Sequence, residues 1–401
     1  MNKKKFILFL FLVAINSDSV FSQGNKISEF QTNVLNKFGA GVNLSLYENY
    51  WKKADAQLSE DVLAKLETAH KIGFKTIRLP VDFDSYTDKK TNTIDIKLLQ
   101  KLQEIYNYTN SKQMNLIITY HYGQLYKTVD FYKEASRIVY MWSQFVVFFR
   151  GKGYDNLFFG LYNEPRVPGE EWAFADEEMI SKLRPSDRNR YWIVGSTDYN
   201  GIDAFTQLKR IKNDHKIIYT FHFYQPYIFT HQGASWDIEK TYMTNLPYPY
   251  NVKEMPTLPI RAKGKVMEYN YNHYCDKGNK NFIIQKIRKI YEWSVLNQAP
   301  VICTEFGAIN TISKKYRDNY ITDVTDVMKV YGIPAMVWDL DQTFSITNNN
   351  IVPLKSINDW VKSLNNAFAI REKSKLIVAN KLYCKQNENI DCTVLQGFSV
   401  R

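Results

Sequence analysis

Two stretches of this sequence put a glutamate directly after or within an apolar run: LFFGLYNEP, which ends in Asn163, Glu164 and Pro165, and PVICTEFGA, which carries Glu305. A strand buried in a core has no use for an unpaired carboxylate, so both must sit where the chain leaves the core. Two carboxylates facing one another can cleave a glycosidic bond. One protonates the leaving oxygen while the other attacks or activates water. Other polar or aromatic residues end apolar runs in the same way: Arg78, His121, His222, Tyr224 and Trp338. Arg78 and the Tyr224 hydroxyl suit the task of holding Glu305 ionised and aimed, as a carboxylate nucleophile requires. Asn163 suits a hydrogen bond to a sugar 2-hydroxyl, Trp338 the floor of the ring being cleaved, and His121 a hydroxyl contact. Glu164 has no fixed partner in this reading, although His222 is near enough in strand order to exchange protons with it.

Such convergence needs a scaffold that gathers residues far apart in sequence. Short apolar segments alternate with helical patterns along most of the chain. FGAGVNLSL (38–46), GFKTIRLPV (73–81), MNLIITYHYG (114–123), DNLFFGLYNEP (155–165), RYWIVGS (190–196), HKIIYTFHFY (215–224), APVICTEFGA (299–308) and GIPAMVWDL (332–340) read as strands. Between them, Leu58, Val62, Leu66 and Ala69 recur at helical spacing before Gly73, and IDIKLLQKLQEIYNYTNSK, residues 132–150 and residues 170–183 read as helices. Eight βα-type strands imply a closed (β/α)8 TIM barrel, an α/β fold whose active sites form at the C-terminal strand ends. A doubly wound sheet is disfavoured, because no glycine-rich phosphate loop follows the first strand.

The N-terminus carries Lys3, Lys4 and Lys5 before the apolar run FILFLFLVAI, followed by a polar stretch and VFSQ. This is the pattern of a secretory signal peptide, residues 1–22, cleaved after Ser22. The expected organisation is that segment, a catalytic barrel over 23–370 with a long loop at 225–279, and a C-terminal tail at 371–401 packed on the barrel. The expected location is secreted or periplasmic, with no membrane span in the mature chain. The loop is rich in Tyr and Pro and includes Trp236, and its place after the sixth strand sets it over the barrel mouth, where it is expected to limit substrate length. Cys384 and Cys392 are close enough in sequence to pair in an oxidising compartment, Cys303 reads as a core thiol, and Cys275 has no evident partner. The formal net charge is +11, yet the Lys and Arg residues are scattered without a basic block, which argues against nucleic-acid binding.

The set RLP (78–80), YHY (120–122), YNEP (162–165), HFY (222–224), TEFG (304–307) and VWD (337–339) resembles glycoside hydrolase family 5, the cellulase family of the retaining clan. The resemblance covers about residues 38–370. It implies that Glu164 is the acid/base and Glu305 the nucleophile, with Arg78, His121, Asn163, His222, Tyr224 and Trp338 lining the innermost subsite. The implied activity is a secreted β-glycosidase acting on a polysaccharide or oligosaccharide, a β-glucan first and β-mannan or exo-cleaved β-1,3-glucan as alternatives. No cofactor and no metal is expected, and the chain is expected to be a monomer. A catalytically inactive carbohydrate-binding barrel is the rival from another class, since it would keep the aromatics without needing both carboxylates. A metal hydrolase would want clustered histidines, and a Schiff-base aldolase a lysine at a strand end.

Overall fold

The computed structural model describes residues 27–48, 53–121, 125, 130–237, 242–348 and 352–386, with side chains left aside at Ala56 and after Arg371. The expected signal peptide and Cys392 lie outside the described residues, as does the side chain of Cys384.

Eight strands form: β1 (Ala40–Asn43), β2 (Thr76–Val81), β3 (Asn115–Tyr120), β4 (Leu157–Gly160), β5 (Trp192–Gly195), β6 (Ile217–Phe223), β7 (Val301–Phe306) and β8 (Ala335–Val337). Each pairs in parallel with the next, and β8 returns to β1, so the sheet closes on itself. The eight strands read from the sequence are these eight, in order. The fold is a (β/α)8 barrel.

Strand periodicity of two sorts the side chains into an axis-facing set and a helix-facing set. Ile117, Phe158, Ile193, Ile218, Ile302 and Met336 pack together as one interior layer, separate from the larger cluster between strands and helices. Gly41 belongs to this layer by necessity, because a Cβ there would come within 2.6 Å of Met336. Below the layer sits helix α1 (Glu29–Phe38), which the sequence reading did not include. Its Phe38 ring packs 4.7 Å from that of Phe158 and closes the bottom of the barrel. Gln31 on α1 reaches the Val301 carbonyl at 2.7 Å and the Gly332 carbonyl at 3.0 Å, tying this helix to the far end of the chain.

Helices α2 (Val62–Ile72), α3 (Ile96–Ser111), α4 (Phe131–Phe148), α5 (Gly169–Leu183), α6 (Ile202–Phe205), α7 (Lys280–Asn297), α8 (Lys314–Val330) and α9 (Lys355–Gln386) surround the strands. The helical spacing that begins at Leu58 is interrupted before α2. Asp61 caps the new start by accepting from the Ala64 N–H, and Gly73 ends it at φ 100°. Helix α9 runs through residue 371 without a break, so the chain beyond the barrel begins as a continuation of its last helix. The described part of the 225–279 segment is folded on the barrel: Met243, Leu246, Tyr248, Met267 and Tyr274 are buried, and the Tyr274 hydroxyl donates to the Pro247 carbonyl at 2.6 Å.

One buried group in this layer has a pH consequence. Asp176 on α5 is 1% exposed and its carboxyl makes no ion pair among the described residues. Burial holds it well above the usual carboxylate range, against a weaker opposing pull from the Glu177 N–H. The folded state therefore keeps a proton that the unfolded chain has lost, and stability falls as pH rises above the ordinary carboxylate pKa. Asp176→Asn removes that dependence. In urea unfolding, the variant is expected to gain on the parent between pH 5 and pH 8, by up to about 1.4 kcal/mol per pH unit, and an unchanging difference across that range would contradict the assignment.

Candidate active site

The carboxyl end of the barrel gathers polar residues at or near the strand ends; Arg78 does not end its strand as the sequence suggested, since β2 continues through Leu79, Pro80 and Val81. A register shift on β7 decides the most important of them. Cys303 pairs with Phe221 on β6, but His222 then pairs with Glu305, so Thr304 is an extra residue; the β7–β8 pairing slips at the same place. Ile302 and Thr304 face the axis, and strict alternation would send Glu305 outward among the helices. The bulge turns it back to the axis.

Glu305 is then held from two sides. Arg78 Nη1 on β2 donates to its Oε1 at 2.6 Å and the Tyr224 hydroxyl donates to its Oε2 at 2.9 Å. Arg78 is itself fixed, because Nη1 also donates to Asn43 Oδ1 at 2.8 Å and Nη2 donates to Asn163 Oδ1 at 2.7 Å. Its side chain is 2% exposed, so this ion pair works in a largely water-free setting, where charge-assisted hydrogen bonds are strong. Burial and the nearby charge of Glu305 push the Tyr224 phenol well above its usual range, and it remains a proton donor.

Glu164 stands just after β4 at φ 48°, a left-handed conformation uncommon for a residue with a side chain. Its side chain is 28% exposed, and His222 Nδ1 lies 2.7 Å from its Oε1. This corrects the reading that left Glu164 without a partner. Burial pushes Glu164 up to about 7, against the opposing charges of His121, Arg78 and Arg166. Burial pushes His222 down to about 3 despite the Glu305 charge, which favours a neutral imidazole hydrogen-bonded to Glu164, beside which the strand order had placed it. The two carboxylates thus differ in kind: one is ion-paired and enclosed, the other is partly open and protonatable near neutrality.

Among the described residues, ligand-type atoms of Glu164, His222 and Glu305 come within 4.8 Å of one another, the one such trio. A guanidinium N–H and a phenol O–H already point at the Glu305 oxygens. These supply the positive field that a cation would bring.

The remaining residues fall around this centre. Asn163 is buried beside Arg78. His121 Nε2 lies 3.1 Å from Glu48 Oε2, and its ring lies nearly parallel to Trp338 at 6.0 Å. All eight residues singled out from the sequence lie at this end of the barrel. Sequence reasoning missed Asn43, Glu48 and Asn200. Asn43 ends β1 and was open to the same strand-end argument that found Arg78; it donates to the Thr304 carbonyl at 3.0 Å. Glu48 stands in a turn and Asn200 ends the single helical turn Thr197–Asn200, too short for any periodicity to mark.

Comparison with known proteins gives a consistent picture. The family described as Cellulase (glycosyl hydrolase family 5) matches residues 35–343. Endoglucanase 3 of Fibrobacter succinogenes is 29% identical over 354 residues, covering 81% of this chain and 52% of its own length. Endoglucanase C of Acetivibrio thermocellus is 25% identical, covering 79% of this chain and 95% of its own. This chain therefore spans about half the length of the first relative and nearly all of the second. Among solved structures, a hyperthermophilic endo-β-1,4-glucanase in complex with substrate superposes with a TM-score of 0.69 at 19% identity, over 82% of this chain and 98% of that one. That likeness speaks for the barrel itself.

Proposed function

The chain belongs to glycosyl hydrolase family 5, and from that premise we propose that it is an exported endo-acting β-glucanase that works by double displacement with retention. The observation that carries the reading is the contrast between the two glutamates, with oxygens inside 4.8 Å of each other. A spacing this short is nearer the roughly 5–5.5 Å of carboxyl groups that act through a covalent glycosyl-enzyme than the roughly 6.5–9.5 Å that leaves room for a water beside the sugar. Glu305, aimed by Arg78 and Tyr224, attacks the anomeric carbon as the bond to the leaving oxygen breaks. Glu164, protonated below about 7, gives its proton to that oxygen. A water then replaces the leaving group, yields its proton to Glu164 and releases the sugar from Glu305.

Substrate contacts follow from the same geometry. Asn163, braced by Arg78, meets the 2-hydroxyl of the sugar being cleaved, and Trp338 floors its ring. His121, held by Glu48, presents to a neighbouring hydroxyl. The segment 225–279 edges the mouth and limits the chain lengths accepted. Residues 1–22 direct export and are removed, and the mature chain acts as a monomer. Both curated relatives described above are named endoglucanases, which supports a β-glucan as substrate.

The test is a panel of soluble β-1,4-glucan, mixed-linkage β-glucan, β-1,3-glucan and β-mannan, read by reducing ends and viscosity. Fastest hydrolysis of the glucans containing β-1,4 bonds, with an early fall in viscosity, is expected. Release of single sugars without that fall would make the enzyme exo-acting, preference for mannan would move the substrate class, and binding without cleavage would leave a carbohydrate-binding barrel.

A further inference from the structure

After β5 the chain makes a turn that no substrate contact explains. Asp198, Tyr199 and Asn200 adopt φ values of 53°, 58° and 53° in succession, all left-handed and none glycine. Such a conformation costs roughly 1–2 kcal/mol per residue, so three in a row need compensation from their surroundings. The turn drives the Asn200 side chain inward until it is 1% exposed. Gly195 makes the space, since a Cβ there would lie 2.3 Å from Asn200 Oδ1. What Asn200 reaches is the hidden edge of His222, with its Nδ2 3.3 Å from the ring Nε2.

That contact has a direction. An amide NH2 only donates, so Nε2 must accept and the ring proton must sit on Nδ1. The opposite amide orientation would bury the NH2 beside Gly195, where the oxygen now has no partner. Orphaned buried donors are rarer than orphaned carbonyls. The second neighbour of Nε2, Thr304 Oγ1 at 3.1 Å, is compatible with either tautomer, because its hydroxyl also lies 2.6 Å from Thr220 Oγ1.

We propose that Asn200 is a positioning residue that locks His222 in the Nδ1–H tautomer, so that Glu164 Oε1 accepts from the imidazole and the acidic proton of Glu164 is kept on Oε2. This rests on the reading of Glu164 as the general acid. With the other tautomer, Nδ1 would be a bare acceptor 2.7 Å from Glu164 and would draw its proton away from the leaving oxygen. The ion-producing groups facing the pair are Glu305 on β7, Arg78 on β2, His121 after β3, Arg166 beyond Glu164 and Glu48 after β1. None of them contacts Nε2. Asn200 therefore adjusts the histidine from the side remote from the chemistry.

Two measurements test this. In the full chain labelled with 15N-histidine, long-range 1H–15N spectra, assigned with a His222→Asn variant, should show a protonated Nδ1 and an unprotonated Nε2. A protonated Nε2 in the parent protein overturns the proposal whatever Glu164 does. Asn200→Asp puts an acceptor where the donor stood. It should move the ring proton to Nε2 or charge the ring. It should also lower kcat/KM for a phenyl β-cellobioside by about 10²-fold, the lower range of general-acid assistance, while the 2,4-dinitrophenyl substrate, which needs no acid, changes by less than about 3-fold. An equal loss on both substrates would mean that Asn200 only supports the fold. If the parent has the Nδ1–H tautomer but Glu164→Ala shows no dependence on the leaving group, the tautomer lock stands and the acid assignment fails instead.

Discussion

Glu305→Ala is expected to lower kcat on an aryl β-glucoside by roughly 10⁶-fold, the scale seen when a covalent nucleophile is removed from its catalytic unit. The loss should be nearly independent of the leaving group, since without the carboxylate no glycosyl-enzyme forms. Removing the side chain opens a space facing the anomeric carbon, flanked by the Arg78 Nη1 and Tyr224 hydroxyl donors that now hold Glu305. Azide, a small anion, fits that setting. With an activated β-glycosyl fluoride or dinitrophenyl glycoside, it should attack from the vacated side and give the α-glycosyl azide. Proton NMR of the anomeric signal reads the outcome directly, and a β-azide from this variant would show that the two carboxylates have been exchanged in the assignment.

Glu164→Ala should fail in a different way. With a phenol of high pKa as leaving group, loss of the general acid should cost about 10²–10⁴-fold. With dinitrophenolate the first step should survive, and the glycosyl-enzyme should accumulate until azide intercepts it from the open face to give the β-azide. The pH profile supplies an independent reading. In the proposed role Glu164 acts in its acid form, and burial pushes it up to about 7, so kcat/KM of the parent enzyme on a phenyl β-glycoside should fall above about pH 7. In Glu164→Gln, the residual activity on the same phenyl substrate should show no such alkaline limb. A limb that persists there would have to come from another group.

Part of the geometry behind these outcomes is legible in the sequence alone. The eight strands were legible because each is a short apolar run with turn signals at both ends, and a closed parallel barrel fixes which end of each run is functional. His121, Asn163, Glu164, His222, Tyr224, Glu305 and Trp338 follow from that single rule; Arg78 reaches the same site from the middle of β2, three residues before the strand ends. The bulge at Thr304 did not. It is a one-residue slip in pairing, and the run VICTEF reads the same with or without it. Helix α1 was illegible for another reason: its inward residues Gln31, Leu35 and Phe38 include an amide that pairs with backbone groups on β7 and before β8, so its apolar stripe is thin. Asn200 ends a single helical turn and Glu48 lies in a turn after β1, and their partners His222 and His121 are set by the fold alone. Sequence pattern reveals which residues are presented. The neighbours that hold them at the right angle and protonation state come from the packing.

The tie between α1 and the last two strands bears on how the chain comes to be folded during synthesis. Gln31 finds its partners at Val301 and Gly332, and β1 finds its second neighbour only in β8. Until the ribosome has delivered Val337, β1 remains an open edge, the interior layer lacks Met336, and the Phe38 plug has no finished ring to close. Local βα pairs can form earlier, but these long-range contacts must wait, and contacts so distant along the chain slow folding. The nascent protein thus passes most of its elongation with unpaired strand edges at both ends of a growing sheet, the state in which barrels are most prone to associate with one another and in which holding factors are most effective.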